Sequence, residues 1–325
     1  MRNITYRQAI NEALKEEMTR DPRVVLLGED VGPYGGNFKV TDGLWAEFGD
    51  ERVMDTPISE NGICGVGLGL AVNGFRPVIE VMFSDFTANA MDQLVNQVAK
   101  LRYMSGGQLE VPMVVRTTIG GGRSSAAQHS QSLHAWFWHV PGFRVVLPSS
   151  PYDAKGLLKA AIRSNDPVMF FEHKMEYNFA GPVPEEDYVI ELGKADVKRE
   201  GRDVTVICTS FLVQKALAAA EKLAPQGIDI EVVDPRSLNP LDRETLEASV
   251  RKTGRVVIAD EGHITCGAGA ELAAILGHSC FDYLDSPIER VGTKDVPIPF
   301  SPPMEQFVVP GEESIIKAVM RTLGK

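Results

Sequence analysis

The chain reads as an α/β protein of two domains, each a parallel sheet covered by helices, and three features of the sequence lead there. Short apolar, β-branched runs alternate with stretches of helical periodicity along most of the length. Glycines such as Gly227 and Gly254 stand where helices of the second half should stop. A turn-rich segment from Asn178 to Glu186, with Gly181-Pro182 and Pro184-Glu185-Glu186, breaks the alternation and serves as the linker, dividing the chain into residues 1–186 and 187–325. At roughly 150 residues per domain, 325 residues suit that division.

Thr5-Tyr6-Arg7-Gln8 is a capping box, and Ile10, Ala13, Leu14 and Met18 follow at helical spacing until Asp21-Pro22 ends the first helix. Val24 to Leu27 is a short strand, followed by Gly28-Glu29-Asp30 and the glycine-containing loop to Phe38; the two acids fit a function at a strand end and a turn equally well. Asp55-Thr56-Pro57 ends another strand, because proline lacks a donor and biases its predecessor away from helix. Ser59 then caps a helix starting at Glu60. From Asn61 to Asn73 that helix is small or apolar, which predicts burial on most of its sides. Arg76 to Met82 gives the next strand, and Asp85 is a cap for a helix with Phe86 in its first turn. Ala90, Leu94, Val98 and Leu101 mark an amphipathic helix closed by Ser105-Gly106-Gly107.

Met113 to Thr118 is a strand. The loop Gly120 to Ser130 reads as mobile and carries His129 toward the aromatic cluster Trp136, Phe137 and Trp138, which suggests shelter from water. With no carboxylate or cysteine at ligand spacing, His129, His134 and His139 do not predict zinc. Phe143 to Leu147, the helix opened by Ser150-Pro151, and Pro167 to Phe171 complete the first domain. The second repeats the alternation over Val204 to Thr209, Val213 to Leu223, Ile228 to Asp234, Asp242 to Lys252 and Val256 to Asp260.

The net charge of -11 disfavours nucleic acid and anionic lipid as partners. The longest apolar run, Ile63 to Val72, is too short for a bilayer span of ~20 residues. Met1 to Met18 has acids and no signal core, and Cys64, Cys208, Cys266 and Cys280 show neither CxxC spacing nor a dense framework; the expected setting is the reducing cytoplasm.

Glu60 stands out as a lone acid at a helix start among glycines. The dipole there favours the ionised carboxyl and burial the protonated one, which suits proton exchange with a ligand nitrogen, although position alone more often marks an acid that only stabilises its own helix. Familiar alternatives fail. Gly65-x-Gly67 is followed by Leu70 where a dinucleotide fingerprint needs glycine, the 120–130 loop lacks the Lys-Ser/Thr ending of a phosphate loop, and no nucleophile elbow or close carboxylate pair occurs.

Several long stretches, in one order, resemble a known family: LGEDVGPYGG at Leu27 to Gly36, DTPISENG at Asp55 to Gly62, LRYMSGG at Leu101 to Gly107, AAQHSQS at Ala126 to Ser132 and PSSPYDAKGLL at Pro148 to Leu158. They are similar to the beta subunits of the thiamine-diphosphate-dependent first component of 2-oxo acid dehydrogenase complexes, including acetoin-cleaving members. The resemblance covers essentially the whole chain. It implies a pyrimidine-binding first domain and a transketolase C-terminal-like second one. It implies that Glu60 bonds the aminopyrimidine ring nitrogen and stabilises the imino tautomer, whose nitrogen takes the proton from the thiazolium carbon. Met82 and Phe86 match positions that pack on the pyrimidine, with Ile58 bordering the same pocket. His129 matches a histidine that serves acyl transfer to lipoamide.

Some members also hold a structural potassium ion, at positions matching Met113, Ala161, Ile162, Ser164 and Asp166; relatives often carry Asp and Asn at the last two. The family's diphosphate and magnesium site has a GDG sequence followed by asparagine, absent here. Half the cofactor site, with its magnesium, is therefore expected on an alpha subunit in an assembly of two alpha and two beta chains. The lipoyl domain and the subunit-binding domain of a dihydrolipoyl acyltransferase are the further partners implied, and Asp282, Asp285 and Glu289 offer an acidic face for docking, or a merely solvated one. The rival readings are half of a split transketolase or deoxyxylulose-phosphate-synthase-like enzyme, and a noncatalytic scaffold. Substrate identity, among pyruvate, branched-chain 2-oxo acids and acetoin, is not legible.

Overall fold

A computed structural model describes residues 1–325. The first elements in chain order are β1 (Arg2–Thr5), α1 (Tyr6–Arg20), β2 (Val24–Gly28), α2 (Leu44–Phe48), β3 (Val53–Asp55), α3 (Glu60–Val72), β4 (Arg76–Phe83), α4 (Leu101–Met104), β5 (Val114–Ile119), α5 (His134–His139), β6 (Arg144–Val146), α6 (Pro151–Arg163), β7 (Val168–His173) and β8 (Ala180–Val183). They are followed by β9 (Asp196–Arg199), β10 (Val204–Cys208), α7 (Leu212–Leu223), β11 (Ile230–Asp234), β12 (Ser237–Asn239), α8 (Arg243–Thr253), β13 (Val256–His263), α9 (Ala268–Ser279), β14 (Glu289–Thr293), α10 (Pro302–Val308) and α11 (Glu312–Thr322). No helix is long and apolar enough to cross a membrane.

Met1–Ile119 and Trp136–Leu192 form one compact unit; Gly120–Ala135 and Gly193–Lys325 form the other. In the first, the central strands run β6-β7-β5-β4-β2-β3, each neighbouring pair parallel. Helix α1 starts with the full capping box of Thr5 and Gln8. Its Ile10, Leu14 and Met18 share a core with Val24 and Leu26 of β2 and with Leu157, Leu158 and Ile162 of α6. Each such side chain contributes about 1.5–3 kcal/mol when fully buried. In the second unit the order is β14-β13-β10-β11-β9, parallel except for β9. There α7 and α11 bury Leu212, Val213, Ala216, Ile315 and Val319 against Val206, Val232 and Val257.

Three local expectations are corrected. Residues 180–183 of the expected linker form β8, antiparallel to β1, so that Asn178 to Glu186 is in part a strand. After β4 the chain winds as a 3₁₀ helix over Ser84–Ala90 with Phe83, not Asp85, at the cap position, and as a π-helix over Asp92–Val98 before α4. Ala90, Leu94 and Val98 are buried all the same. Helix α3 is covered on one face only: Ile63, Cys64, Gly67 and Ala71 face inward, while Val66 is 56% exposed. Gly67 is needed where helix meets sheet, since a Cβ there would lie 2.8 Å from Ile79 and 2.9 Å from Met113.

The middle of the first sheet carries a charge. Arg116 on β5, 1% exposed, donates Nη1 to Glu80 Oε2 on β4 (2.7 Å), and Nε and Nη2 to the two oxygens of Glu172 on β7 (2.7 and 2.8 Å). Tyr177 donates its hydroxyl to Glu172 as well, at 2.8 Å. Burial alone would lower the affinity of Arg116 for its proton, but the two carboxylates raise it, so the guanidinium is permanently charged. Arg116→Met strands two buried carboxylates and should cost about 3–5 kcal/mol in a urea melt, whereas the triple change with Glu80→Gln and Glu172→Gln should recover most of that loss. A single variant as stable as the parent would show the network to be dispensable.

Candidate functional site

Ligands of open α/β sheets lodge beyond the carboxyl ends of the strands. In the first unit that edge gathers Glu29 after β2, Asp55 at the end of β3, Glu60 at the start of α3 and Phe83 at the end of β4. Asp55 Oδ1 accepts the Gly32 amide at 2.7 Å and so ties the loop after β2 to β3. Ser59 caps α3 by accepting from the Gly62 amide, which places Glu60 in the first turn, 7% exposed. The Asn89 side-chain amide donates to Glu60 Oε2 at 2.7 Å. Burial, and then the neighbouring carboxylates of Glu60, Asp30 and Glu80, push the Glu29 carboxyl above its ordinary range. Burial and Glu60 push the Cys64 thiol up to about 12, so this cysteine stays protonated and inert.

Aromatic rings run alongside. Tyr177 stacks on Phe38 (4.8 Å), and Phe38, Phe83 and Phe86 follow edge-to-face at 5.7 and 5.6 Å. Phe86 is thus held by Phe83 and remains partly open, and Met82 receives the Asn37 side-chain amide on its sulfur at 3.5 Å. Ile58, just ahead of the helix cap, is 83% exposed and buried in no pocket of this chain. Asn89, Phe38 and Phe83 were missed by the sequence reading. Asn89 gives no signal in a sequence, because its role comes from the 3₁₀ winding that returns it to Glu60.

His129 lies in the second unit, partly buried, on a loop anchored at its start: the amides of Gly121, Gly122 and Ser124 donate to the carboxylates of Glu261 and Glu305. The aromatic cluster does not act as one shield, for Phe137 packs in the first unit against Phe143 and Phe171 while Trp136 is exposed. His134 is buried and pairs through Nε2 with Asp260 Oδ1 at 2.8 Å. Asp260 also accepts from Thr209 Oγ1 (2.7 Å) and the Gly262 amide (3.1 Å). Burial opposes its ionisation, yet His134 and these donors hold its carboxyl below the usual carboxylate range. Gly262 leaves room for this, since a Cβ there would sit 2.7 Å from Asp260 Oδ2.

The positions matched to a potassium ion all lie in the first unit, where arginines take the carbonyls of Ile162 and Ser164 and the carboxylate of Asp166, and main-chain amides take the carbonyls of Met113 and Ala161. Arg76 Nη1 donates to the carbonyls of Ile162 and Ser164, both at 2.9 Å, and its Nη2 to Asn165 Oδ1 at 2.6 Å. The Ala161 carbonyl accepts the Ser164 amide, closing α6. Asp166 is paired with Arg102 and, at 2.7 Å, with Arg144; burial would raise its carboxyl, and the two guanidiniums hold it below the ordinary range. Met113 is buried under Gly67. A cation added among three guanidiniums would meet repulsion and few spare lone pairs, so these residues do not fit potassium.

The acidic face near the end is also less acidic than its sequence suggests. Asp285 pairs with Arg255 at 3.3 Å and Glu289 with Arg321 at 2.7 Å, which leaves Asp282 of the three without a salt bridge.

Residues 2–180 match the family described as transketolase, pyrimidine binding domain, and residues 193–315 the transketolase C-terminal domain. The chain is 48% identical to the beta subunit of acetoin:2,6-dichlorophenolindophenol oxidoreductase of Bacillus subtilis, over 100% of this chain and 98% of that one. It is 48% identical to the 2-oxoisovalerate dehydrogenase subunit beta of the same organism, covering 99% of both. With the mitochondrial pyruvate dehydrogenase E1 component subunit beta-1 of Oryza sativa it shares 46% identity over 98% of this chain and 87% of that one. Among solved structures it is similar to a split-gene transketolase, an inactive beta4 tetramer, with a TM-score of 0.81 and 28% identity over 99% of this chain and 98% of that one.

Because three arginines and two main-chain amides already engage these oxygens, exchanging sodium for potassium at constant ionic strength should leave the melting temperature unchanged. A stabilisation specific to potassium would put the ion among these arginines after all.

Proposed function

From the premise that the chain belongs to the transketolase-like family of 2-oxo acid and acetoin dehydrogenase beta subunits, we propose that it is the beta half of a thiamine-diphosphate enzyme. That enzyme decarboxylates a 2-oxo acid, or cleaves acetoin, and acylates the lipoyl domain of a dihydrolipoyl acyltransferase. The subunit naming of the relatives implies an alpha partner. In our reading two alpha and two beta chains assemble, the alpha chain brings the magnesium and diphosphate ligands, and residues 1–186 and 187–325 carry the pyrimidine-binding and C-terminal-like domains, except that the 120–135 segment belongs to the second compact unit and residues 187–192 to the first. Four unpaired thiols accord with a cytoplasmic setting.

The observation that carries the reading is Glu60, a buried carboxyl at a helix start whose one oxygen is held by a neutral amide, beside a row of aromatic rings. This arrangement fits the aminopyrimidine end of thiamine diphosphate. When bound, that group supplies the carbanion chemistry by which a bond next to a carbonyl is broken. Glu60 would hold a proton at the ring nitrogen, with Asn89 fixing the carboxyl's rotation. Met82 and Phe86 would pack on the ring, worth about 1 kcal/mol for an offset aromatic pair, and Ile58, exposed in this chain, would border the same pocket. His129 would donate or hold a proton during transfer to the dihydrolipoyl sulfur.

The reading favoured over a split transketolase rests on relatives at 46–48% identity being dehydrogenase subunits, against 28% for the transketolase neighbour. Assays of the chain assembled with its alpha partner on pyruvate, branched-chain 2-oxo acids, acetoin and a ketose phosphate would decide; turnover of the sugar alone would reverse the choice. Glu60→Gln should keep assembly and cofactor affinity and lower decarboxylation by about 10²–10⁴-fold, since an amide cannot share a proton as a carboxyl does. Near-normal turnover would remove Glu60 from the chemistry. His129→Ala should lower lipoyl acylation about a hundredfold while sparing decarboxylation read with an artificial electron acceptor. Equal losses in the two assays would move His129 to the first step.

A further inference from the structure

We infer that Glu305 is a positioning residue for His129, acting through the backbone of the loop that carries it; this rests on the reading of His129 given above. The loop enters the second unit at Gly120, and its first amides converge on two carboxylates from separate elements. Gly121 donates to Glu261 Oε1 at 2.7 Å, at the end of β13. Gly122 donates to Glu305 Oε1 at 2.9 Å and Ser124 to Glu305 Oε2 at 3.0 Å, on α10. Glu305 is 3% exposed, and both of its oxygens are thus spent on main-chain donors 181 and 183 residues away. Amide bonds to an ionised carboxylate are roughly twice as strong as neutral ones, and a carboxylate buried here without them would be costly.

The backbone so held is one that the chain would not choose unaided. Gly120 and Gly122 have φ of +96° and +97°, which glycine accepts, but Ser124 and Ala126 also lie in the left-handed region at φ of 52° and 61°. Neither has glycine's freedom there, and such residues persist where their surroundings over-determine them. The grip of Glu305 on Ser124 supplies that determination two residues before Ala126. Ala126 in turn accepts the His129 amide at 3.4 Å, so the strained turn sets where the imidazole begins. Beyond His129 the segment is pinned again, by the buried His134–Asp260 pair. His129 is suspended between two anchors, and Glu305 is the one that fixes the backbone conformation leading into it.

The test uses the full assembly with the alpha subunit and the variant Glu305→Gln, which leaves a single acceptor where two amides need one each. Amide exchange of the peptide containing Gly122 and Ser124 should accelerate by about tenfold or more, a local opening. The turnover number for acylating a free lipoyl domain should fall about tenfold to a hundredfold, as expected for misplacement by about an ångström, with the KM for that domain and the rate of dye-coupled decarboxylation within about twofold of the parent. Adding His129→Ala to Glu305→Gln should cause no further loss beyond His129→Ala alone, because both act on one group. Unchanged exchange, a parallel fall in both reactions, or multiplicative losses in the double variant would each overturn the proposal. Should Glu305→Gln melt, Glu305→Asp keeps the charge while drawing the oxygens back, and the same split between the two reactions is expected. Intact acylation in His129→Ala would sink the assignment of His129, while the exchange measurement would still report on the anchor; normal exchange in Glu305→Gln beside a defective His129→Ala would sink the anchor alone.

Discussion

The first unit depends on a guanidinium buried between its middle strands. Arg116 ties β4 to β7 across β5 through Glu80 and Glu172, and the register of the strands puts Glu80 directly beside it. Replacing such a group by apolar side chains of equal volume is often neutral for stability, so hydrophobic burial alone gives no reason for it. Its effect is electrostatic, for it offsets part of the rise that burial imposes on Glu80. Glu80 is raised by burial even with Arg116 against it, and Glu80 in turn contributes to raising Glu29, which also feels Glu60. A run of acids from Glu172 to Glu60 is therefore electrostatically continuous, and one permanent cation lies within it.

Helix α3 shows how the same unit makes room. Its inward face is thin, with Gly67 against Ile79 and Met113, so the helix lies close on the sheet and its first turn is brought to the edge where β2, β3 and β4 end. A bulkier residue at position 67 would lift the helix and carry Glu60 away from Asn89. The outward face, with Val66, stays apolar and uncovered within this chain, which accords with a subunit built to be completed by another.

The local signals were legible because local physics makes them. Thr5 with Gln8, Ser59 before Glu60, Ser150-Pro151 and the left-handed Gly227 and Gly254 each set an element boundary by capping or by φ, and the structure has all of them. The long matching stretches carry the rest of what the sequence tells of family and fold. What could not be read depends on chain reversal at a distance. The 3₁₀ and π winding after β4 preserves the spacing of Ala90, Leu94 and Val98, so the apolar pattern does not separate it from an α-helix. Strand β8 is made by pairing with β1, far away in the chain, from residues whose composition signals a turn. The arginines around Asp166 and the carboxylates under the 120–124 amides come from remote segments with no local pattern to announce them.

Three of the chain's buried glutamates stand beside partners of different kinds. Glu172 faces a guanidinium on both oxygens. Glu305 faces two main-chain amides, donors that cannot leave without unmaking the loop, so it is committed to a geometry. Glu60 alone is held by a primary amide on a side chain, through one oxygen. An amide donor is neutral and satisfies the carbonyl oxygen of a carboxylic acid as readily as it does a carboxylate, so Asn89 fixes the direction of the Glu60 carboxyl by geometry and not by charge. Of the three, that is the carboxyl without a charged or main-chain partner, and it stands where the helix start and the strand ends converge.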